Sequence, residues 1–333
     1  MTELWTIHNG DALESLRQMP DNSVDAIITD PPYFRVKSEA WDRQWGDAAA
    51  FIAWMGELCA EWSRILRPNG SLWVFASPQM AARVEVKIGE TFNVLNRISW
   101  FKREGWHKGA CKEDLRSFFP ATEAIIFAEH RGADNIAKGE AGYGAKCDEL
   151  RGFVFEPLRA YLAGEWERAG LTKGDAEVAT GTQMAGHWFS RSQWALPTAK
   201  HYATLQARAN NGGGDCMRRE YEDLRREYED LRRPFSVTAE VPYTDVWGFP
   251  TVQTYAGKHP CEKPLALMDH IVTSSTRPGA VVLDCFMGSG STGVACVRNG
   301  REFIGVEIDP KWCAIARTRM ALAEAPTMFE VAG

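Results

Sequence analysis

The sequence contains no Cys-x-x-Cys pair. Its eight cysteines, Cys59, Cys111, Cys147, Cys216, Cys261, Cys285, Cys296 and Cys313, stand apart and do not alternate with histidines at metal-ligand spacing. That argues against a zinc ribbon or a redox pair and predicts reduced, mostly buried thiols and no metal site. No apolar run approaches the roughly 18 residues needed to cross a bilayer. The opening residues MTELW show no basic stretch leading into an apolar one, so the expectation is no membrane contact and a cytoplasmic location. An excess of positive charge is also missing: 38 Lys and Arg face 44 Asp and Glu, a net charge of −6. This weighs against nucleic acid as a partner unless basic residues cluster locally. They do between Arg97 and Arg116, where Arg97, Lys102, Arg103, Lys108, Lys112 and Arg116 outnumber Glu104, Glu113 and Asp114, with Trp100, Trp106 and His107 interleaved. The segment is a candidate phosphate-contacting strip, a solvated charged loop being the alternative.

What is present suffices for a large core. With 333 residues, 45% hydrophobic and 25% charged, the chain predicts one large domain plus a smaller appended unit. Short apolar runs, VDAIITD, SLWVFA, EAIIFA, VVLD and FIGVE, are each bounded by turn signals and alternate with helical spacing. That is the pattern of a doubly wound, mostly parallel α/β sheet. Arg67-Pro68-Asn69-Gly70 ahead of SLWVFA reads as a helix-to-strand joint. From about residue 151 to 234 strands give way to helices. VFEPLRAYLAGEWERAG is an amphipathic helix opened near Pro157 and stopped by Gly170, followed by two short helices compatible with a helix-turn-helix. The expected organisation is 1–150 and 235–333 as two halves of one α/β domain, with 151–234 as a helical insert.

The insert ends in the one internal repeat, REYEDLR, at Arg219–Arg225 and Arg226–Arg232. Tyr221, Leu224, Tyr228 and Leu231 fall on one helical stripe, with Glu222–Arg226 and Glu229–Arg233 as i,i+4 pairs. Two heptads are too few for a free coiled coil, so the stripe packs on its own domain or on a second copy, DNA contact by the arginines being a further alternative.

Three motifs carry chemistry. Asp30-Pro31-Pro32-Tyr33 follows the buried run VDAIIT, at a strand's carboxyl end where α/β sheets bind ligands. Prolines lack N–H groups, so nearby carbonyls stay free to accept. A carboxylate before them and an aromatic ring after them suit a flat heterocycle bearing an amino group. A turn that merely contains two prolines is the alternative. DCFMGSGSTG, Asp284 to Gly293, runs from a strand through a glycine-rich turn into a helix. No Lys follows its glycines, as a phosphate-binding P-loop requires, and its loose GxGxxG spacing leaves a dinucleotide enzyme open. Glu307 in GVEID stands where an acid can accept both hydroxyls of a ribose, or is a strand-end surface acid.

Together DPPY, DCFMGSGST and GVEID resemble the DNA amino-methyltransferases that use S-adenosylmethionine. DPPY before the cofactor loop resembles the β-class order. Asn9-Gly10-Asp11-Ala12 and His259-Pro260-Cys261-Glu262-Lys263-Pro264 are also similar to family segments. The likeness spans both ends of the chain and omits the helical insert. It implies a seven-stranded methyltransferase-type sheet. It also implies catalysis by Asp30, Pro31, Pro32 and Tyr33, and cofactor contacts from Asp11, Ala12, Lys263, Asp284, Phe286, Gly288, Gly290, Ser291 and Glu307. A helix cap is the alternative for Asp11, and a helix start for Lys263.

The implied reaction is methyl transfer to adenine N6 of double-stranded DNA, by base flipping and direct displacement, with a homodimer expected of the class. The insert would read the target or mediate dimerisation. Trp41 and Trp45 could close over the base or pack a surface loop. Cytosine N4 is the alternative target, since family members of that type more often carry Ser where Asp30 stands. Cytosine C5 chemistry would need a cysteine nucleophile, and Cys261 lies in the wrong motif. A nicotinamide oxidoreductase has no use for DPPY. A DNA-binding regulator would use the insert alone, and RNA or protein glutamine could replace DNA as substrate.

Overall fold

The computed structural model describes residues 4–34, 36, 42–102, 116, 118, 120–131, 154–190, 194–237 and 243–324. Two compact units emerge, Met1–His130 with Pro234–Gly333, and Arg131–Arg233. The first break thus falls earlier than the expected residue 150, because the last long strand ends at His130.

In chain order the first unit opens with β1 (Trp5–Asn9), α1 (Ala12–Gln18), β2 (Val24–Thr29), α2 (Ala48–Ile65), β3 (Leu66–Ala76), α3 (Ala81–Gly89), β4 (Phe92–Phe101) and β5 (Thr122–His130). The helical unit holds α4 (Glu156–Arg168), α5 (Lys173–Thr180), α6 (Ala185–Phe189), α7 (Ala199–Ala209) and α8 (Tyr221–Leu231). The first unit resumes with β6 (Val246–Gly248), α9 (Leu265–Ser275), β7 (Val281–Asp284), α10 (Ser291–Arg298), β8 (Glu302–Glu307) and α11 (Pro310–Glu324).

All eight strands form one sheet in the order β1-β8-β7-β2-β3-β5-β4-β6. Among the described residues only β5 runs against its neighbours. The count exceeds the expected seven by the three-residue edge strand β6, too short to carry a sequence signal. Side chains alternate across the pleat. Leu72, Val74 and Ala76 of β3 meet α1, α2 and α3 on one face. Trp73 and Phe75 meet α9, α10 and α11 on the other. The result is the three-layer, doubly wound architecture.

RPNG is not the joint the sequence suggests. α2 already ends at Ile65, and Arg67–Gly70 lies inside β3, where the pairing with β2 shifts register between Val24–Leu66 and Ala26–Ser71. A side chain at Gly70 would stand 2.5 Å from the Leu66 side chain, so glycine there permits a close approach.

The helical unit has its own core, built on Leu158, Leu162, Trp166, Trp188, Trp194, Tyr202 and Leu224. Thr172 and Asp175 form a reciprocal capping box at α5, and Gly181 ends that helix in the left-handed conformation. The heptad stripe packs inward, with Leu224 buried and Tyr221, Tyr228 and Leu231 against the same core. Along α8, Arg226 pairs with Asp223 and Arg232 with Glu229 at i,i+3 spacing, both at 3.3 Å.

Candidate active site

The chain leaves β2 towards β3 on one side and β7 towards β8 on the other, so neighbours β2 and β7 flank a topological switch point. Ligands bind outside the strand ends at such a point. DPPY leaves β2 there, and the glycine-rich turn leaves β7. Thr29 Oγ1 stitches the two ends together by donating to Asp284 Oδ1 at 3.0 Å.

A cavity of about 470 Å³ opens at this crevice. It is lined by Asp11, Ala12, Asp30, Pro31, Pro32, Tyr33, Lys263, Asp284, Phe286, Gly288, Ser291 and Glu307. Every residue assigned to catalysis or cofactor contact from the sequence is therefore brought together here except Gly290. That residue caps α10 with φ +81° and shapes the turn from behind.

Asp30 Oδ2 receives the Lys263 ammonium at 2.5 Å, while Oδ1 is buried with no hydrogen-bond partner. The family likeness grouped Lys263 with the cofactor contacts. Its ammonium instead meets Asp30, the Tyr33 hydroxyl at 3.4 Å and Glu123 at 3.5 Å. Burial pushes the Asp30 carboxyl above its ordinary range, against the pull of Lys263. Burial alone would push Lys263 down, but the Asp30 and Glu123 carboxylates outweigh it and hold the ammonium charged. Glu123 is pulled below the usual carboxylate range because Lys263 and Lys102 together overcome its burial.

The cofactor side is built from backbone donors and close packing. Glu307 Oε2 accepts from Gly288 N at 3.0 Å and Oε1 from Asp309 N at 2.9 Å. Each oxygen keeps a further lone pair for a hydroxyl donor, and burial raises the carboxyl pKa. Asp11 does cap α1, accepting from Glu14 N at 3.0 Å, and lines the cavity as well. Asp284 is committed internally, to Thr29, Thr292 and Phe286 N. His259 walls the glycine turn so closely that a Cβ on Gly288 would stand 3.1 Å from its ring. Burial and Lys263 push its pKa down to about 4, so the imidazole is neutral at pH 7. These residues suit a nucleoside bearing a methionine tail. Glu307 can take ribose hydroxyls, Gly288 allows close backbone approach, and the buried Ser291 Oγ has no partner.

Trp45 packs instead of lining the cavity, edge-on to Phe51 at 4.9 Å and tilted on Trp54 at 4.7 Å. Trp41 lies outside the described residues. The expected phosphate strip is largely spent on internal pairs where it is described: Arg97 on Glu85 at 3.0 Å and Lys102 on Glu123. Trp100 is buried, donating to Phe249 O at 2.8 Å. Arg103, Trp106, His107, Lys108 and Lys112 lie outside the described residues. Cys285 is held protonated, its pKa pushed up to about 12 by burial. Among the described residues no cluster could hold a metal ion, and no helix is long and apolar enough to cross a membrane.

Sequence reasoning missed Glu123 and read Lys102 as a phosphate contact, not as the partner of Glu123. The available signal was a charged residue opening the otherwise apolar run EAIIFA.

The chain is similar to known proteins in sequence and in fold. The chain is 26% identical over 342 residues to the DNA adenine methyltransferase YhdJ of Escherichia coli K12, covering 99% of this chain and 87% of that protein. Its fold matches M1.HpyAVI, solved as a SAM complex, at 19% identity and TM-score 0.51, over 95% of this chain and 98% of that one. It also matches the cytosine-N4-specific PvuII DNA methyltransferase at 15% identity and TM-score 0.55, over 96% and 87%. The family model described as DNA methylase matches residues 24–318, nearly the whole span that builds the sheet and both ends of the cavity, and on that match the chain belongs to the N6/N4 DNA methylase family.

Proposed function

We propose that this chain methylates adenine N6 in double-stranded DNA, with S-adenosylmethionine as methyl donor. The observation that carries the reading is Asp30: one carboxylate oxygen is paired with Lys263, the other is buried without a donor, and both belong to the wall of a cavity at the switch point. A buried acceptor left unmet costs about 1–3 kcal/mol, which an entering N–H donor relieves. The amino group of adenine supplies that donor.

The adenine lone pair is delocalised into its ring. Asp30 and the Pro31 carbonyl accept the two N6 hydrogens and localise it, and the Asp30 charge stabilises the positive charge that develops on nitrogen. Pro32 keeps the motif extended, and Tyr33 stacks on the base, partly offsetting the few kcal/mol of unstacking. Asp11, Ala12, Phe286, Gly288, Ser291 and Glu307 hold the cofactor, with Gly290 shaping the turn. When bound, S-adenosylmethionine supplies an electrophilic sulfonium methyl. Asp284 and Lys263 support the site through Thr29 and Asp30 respectively. The helical unit, with its own core and capped helices, serves target recognition, and a dimer of the chain is part of the same reading.

The named activity of YhdJ and the Asp at the first position of DPPY favour adenine over cytosine N4. The test is incubation of unmethylated genomic DNA with purified protein and labelled cofactor, followed by nucleoside analysis. N6-methyladenine is expected. N4-methylcytosine would overturn the adenine assignment, and DNA without label would overturn the reading as a whole.

A further inference from the structure

Three charged side chains stand behind Asp30: Lys263, Glu123 and Lys102. Glu123 is the second residue of β5, which runs antiparallel to both its neighbours, so it lies at the edge where the parallel strands end. Trp100 of β4 pairs with Glu123 across the ladder, and Lys102 follows β4 at the same edge. The Glu123 side chain is only 13% exposed. Its Oε1 takes the Lys102 ammonium. Its Oε2 accepts the Tyr33 hydroxyl at 3.4 Å and lies 3.5 Å from Lys263 Nζ.

A lysine ammonium has three donors and a flexible stem. Held only by Asp30, it could share itself between both carboxylate oxygens. The second carboxylate takes that freedom away, as do the Phe75 ring 4.8 Å from Nζ and the Tyr33 hydroxyl. We propose that Glu123 is a positioning residue for methyl transfer: by holding Lys263 and the Tyr33 hydroxyl, it keeps the ammonium on Oδ2 of Asp30 and leaves Oδ1 for the amino group of the target base. The inference rests on the reading of Asp30 given above.

The groups that act on the Asp30 carboxyl are Lys263 from the loop before α9, Glu123 from β5, and Tyr33 within DPPY. Asp284 at the end of β7 interacts electrostatically with Asp30, and Cys261, near the cavity wall, acts on Lys263 and Tyr33. Glu123 raises the Asp30 pKa and Lys263 lowers it. Neutralising Glu123 therefore moves the acidic limb of a kcat–pH profile to lower pH. Loss of a purely structural contact would lower the rate at every pH without moving the limb.

The experiment compares wild type, Glu123→Gln and Glu123→Asp for kcat, KM for duplex DNA and the kcat–pH profile, with S-adenosylmethionine binding measured by calorimetry. For Glu123→Gln, kcat falls on the order of 10–100-fold, the range expected when a reacting group is misplaced. Cofactor affinity holds, and the acidic limb shifts downward. Glu123→Asp keeps the charge, restores the wild-type limb and recovers part of the rate. A Gln variant with wild-type kcat and profile overturns the proposal. So does one that loses cofactor binding along with rate, or whose profile stays in place while Asp rescues nothing. Wild-type protein that transfers no methyl to adenine overturns the underlying reading instead, and this inference with it.

Discussion

Replacing Asp284 by Asn should remove a large part of the pH dependence of stability. The carboxyl is 3% exposed at the end of β7. Oδ1 accepts from Thr29 Oγ1 at 3.0 Å and Phe286 N at 3.1 Å, and Oδ2 from Thr292 Oγ1 at 2.6 Å. Burial outweighs these three bonds and pushes the pKa from its ordinary 3.8 to about 7. At ~1.4 kcal/mol per pH unit, that rise corresponds to about 4 kcal/mol between the protonation states. The sign follows from linkage. The unfolded carboxyl ionises from about pH 4 upward, while the folded one keeps its proton until about pH 7. Folded stability from this group is therefore complete below pH 4, declines as pH rises through 7, and is flat above. Asn keeps the shape: its oxygen accepts from Thr29 and Phe286 N, and its amide donates to a rotated Thr292 hydroxyl. Denaturant titrations of both proteins at pH 5 and pH 8 test the argument. Wild type loses about 3 kcal/mol more than Asp284→Asn over that span, and Glu307, which does not interact with Asp284, contributes to both proteins alike. Parallel stability–pH curves for the two would refute the assigned pKa and its cause.

Asp30→Asn removes the charge that meets the target amine, and should lower kcat on the order of 100–1,000-fold while calorimetric S-adenosylmethionine binding stays near wild type. Retention of more than about a tenth of the wild-type rate would contradict the role given to Asp30. Gly290→Ala places a side chain at φ +81°, with its Cβ 2.9 Å from the Ala316 Cβ. The left-handed backbone alone costs roughly 1–2 kcal/mol, so a lower Tm and weaker cofactor binding are expected, and an unchanged Tm would show that the turn relaxes without cost.

How much of this could be read from the sequence depended on whether the informative residues were consecutive. β2, the latter part of β3, β5 and β7 are buried along most of their length, so each is a nearly unbroken apolar run. β8, which mixes buried and partly exposed positions, still reads as FIGVE. β1 carries exposed polar positions in WTIHN, and β4 interrupts its apolar residues with Asn93, Asn96, Arg97 and Ser99, so neither declares itself. The site divides in the same way. DPPY and the glycine turn are legible because each is a contiguous backbone device, and the sheet order unites them although Thr29 and Asp284 are 255 residues apart. Glu123, though a charged residue in an apolar run, could not be given a role because its meaning depends on the direction of β5. In a parallel strand its position would lie at the opposite edge of the sheet, far from Asp30. Two members of the basic strip are hard to read for a related reason: counting Arg97 and Lys102 as free cations ignores the acids that the antiparallel β4–β5 ladder and α3 bring to them. Charge composition measures what a segment carries, and only strand direction and neighbours decide how much of it is left for a ligand.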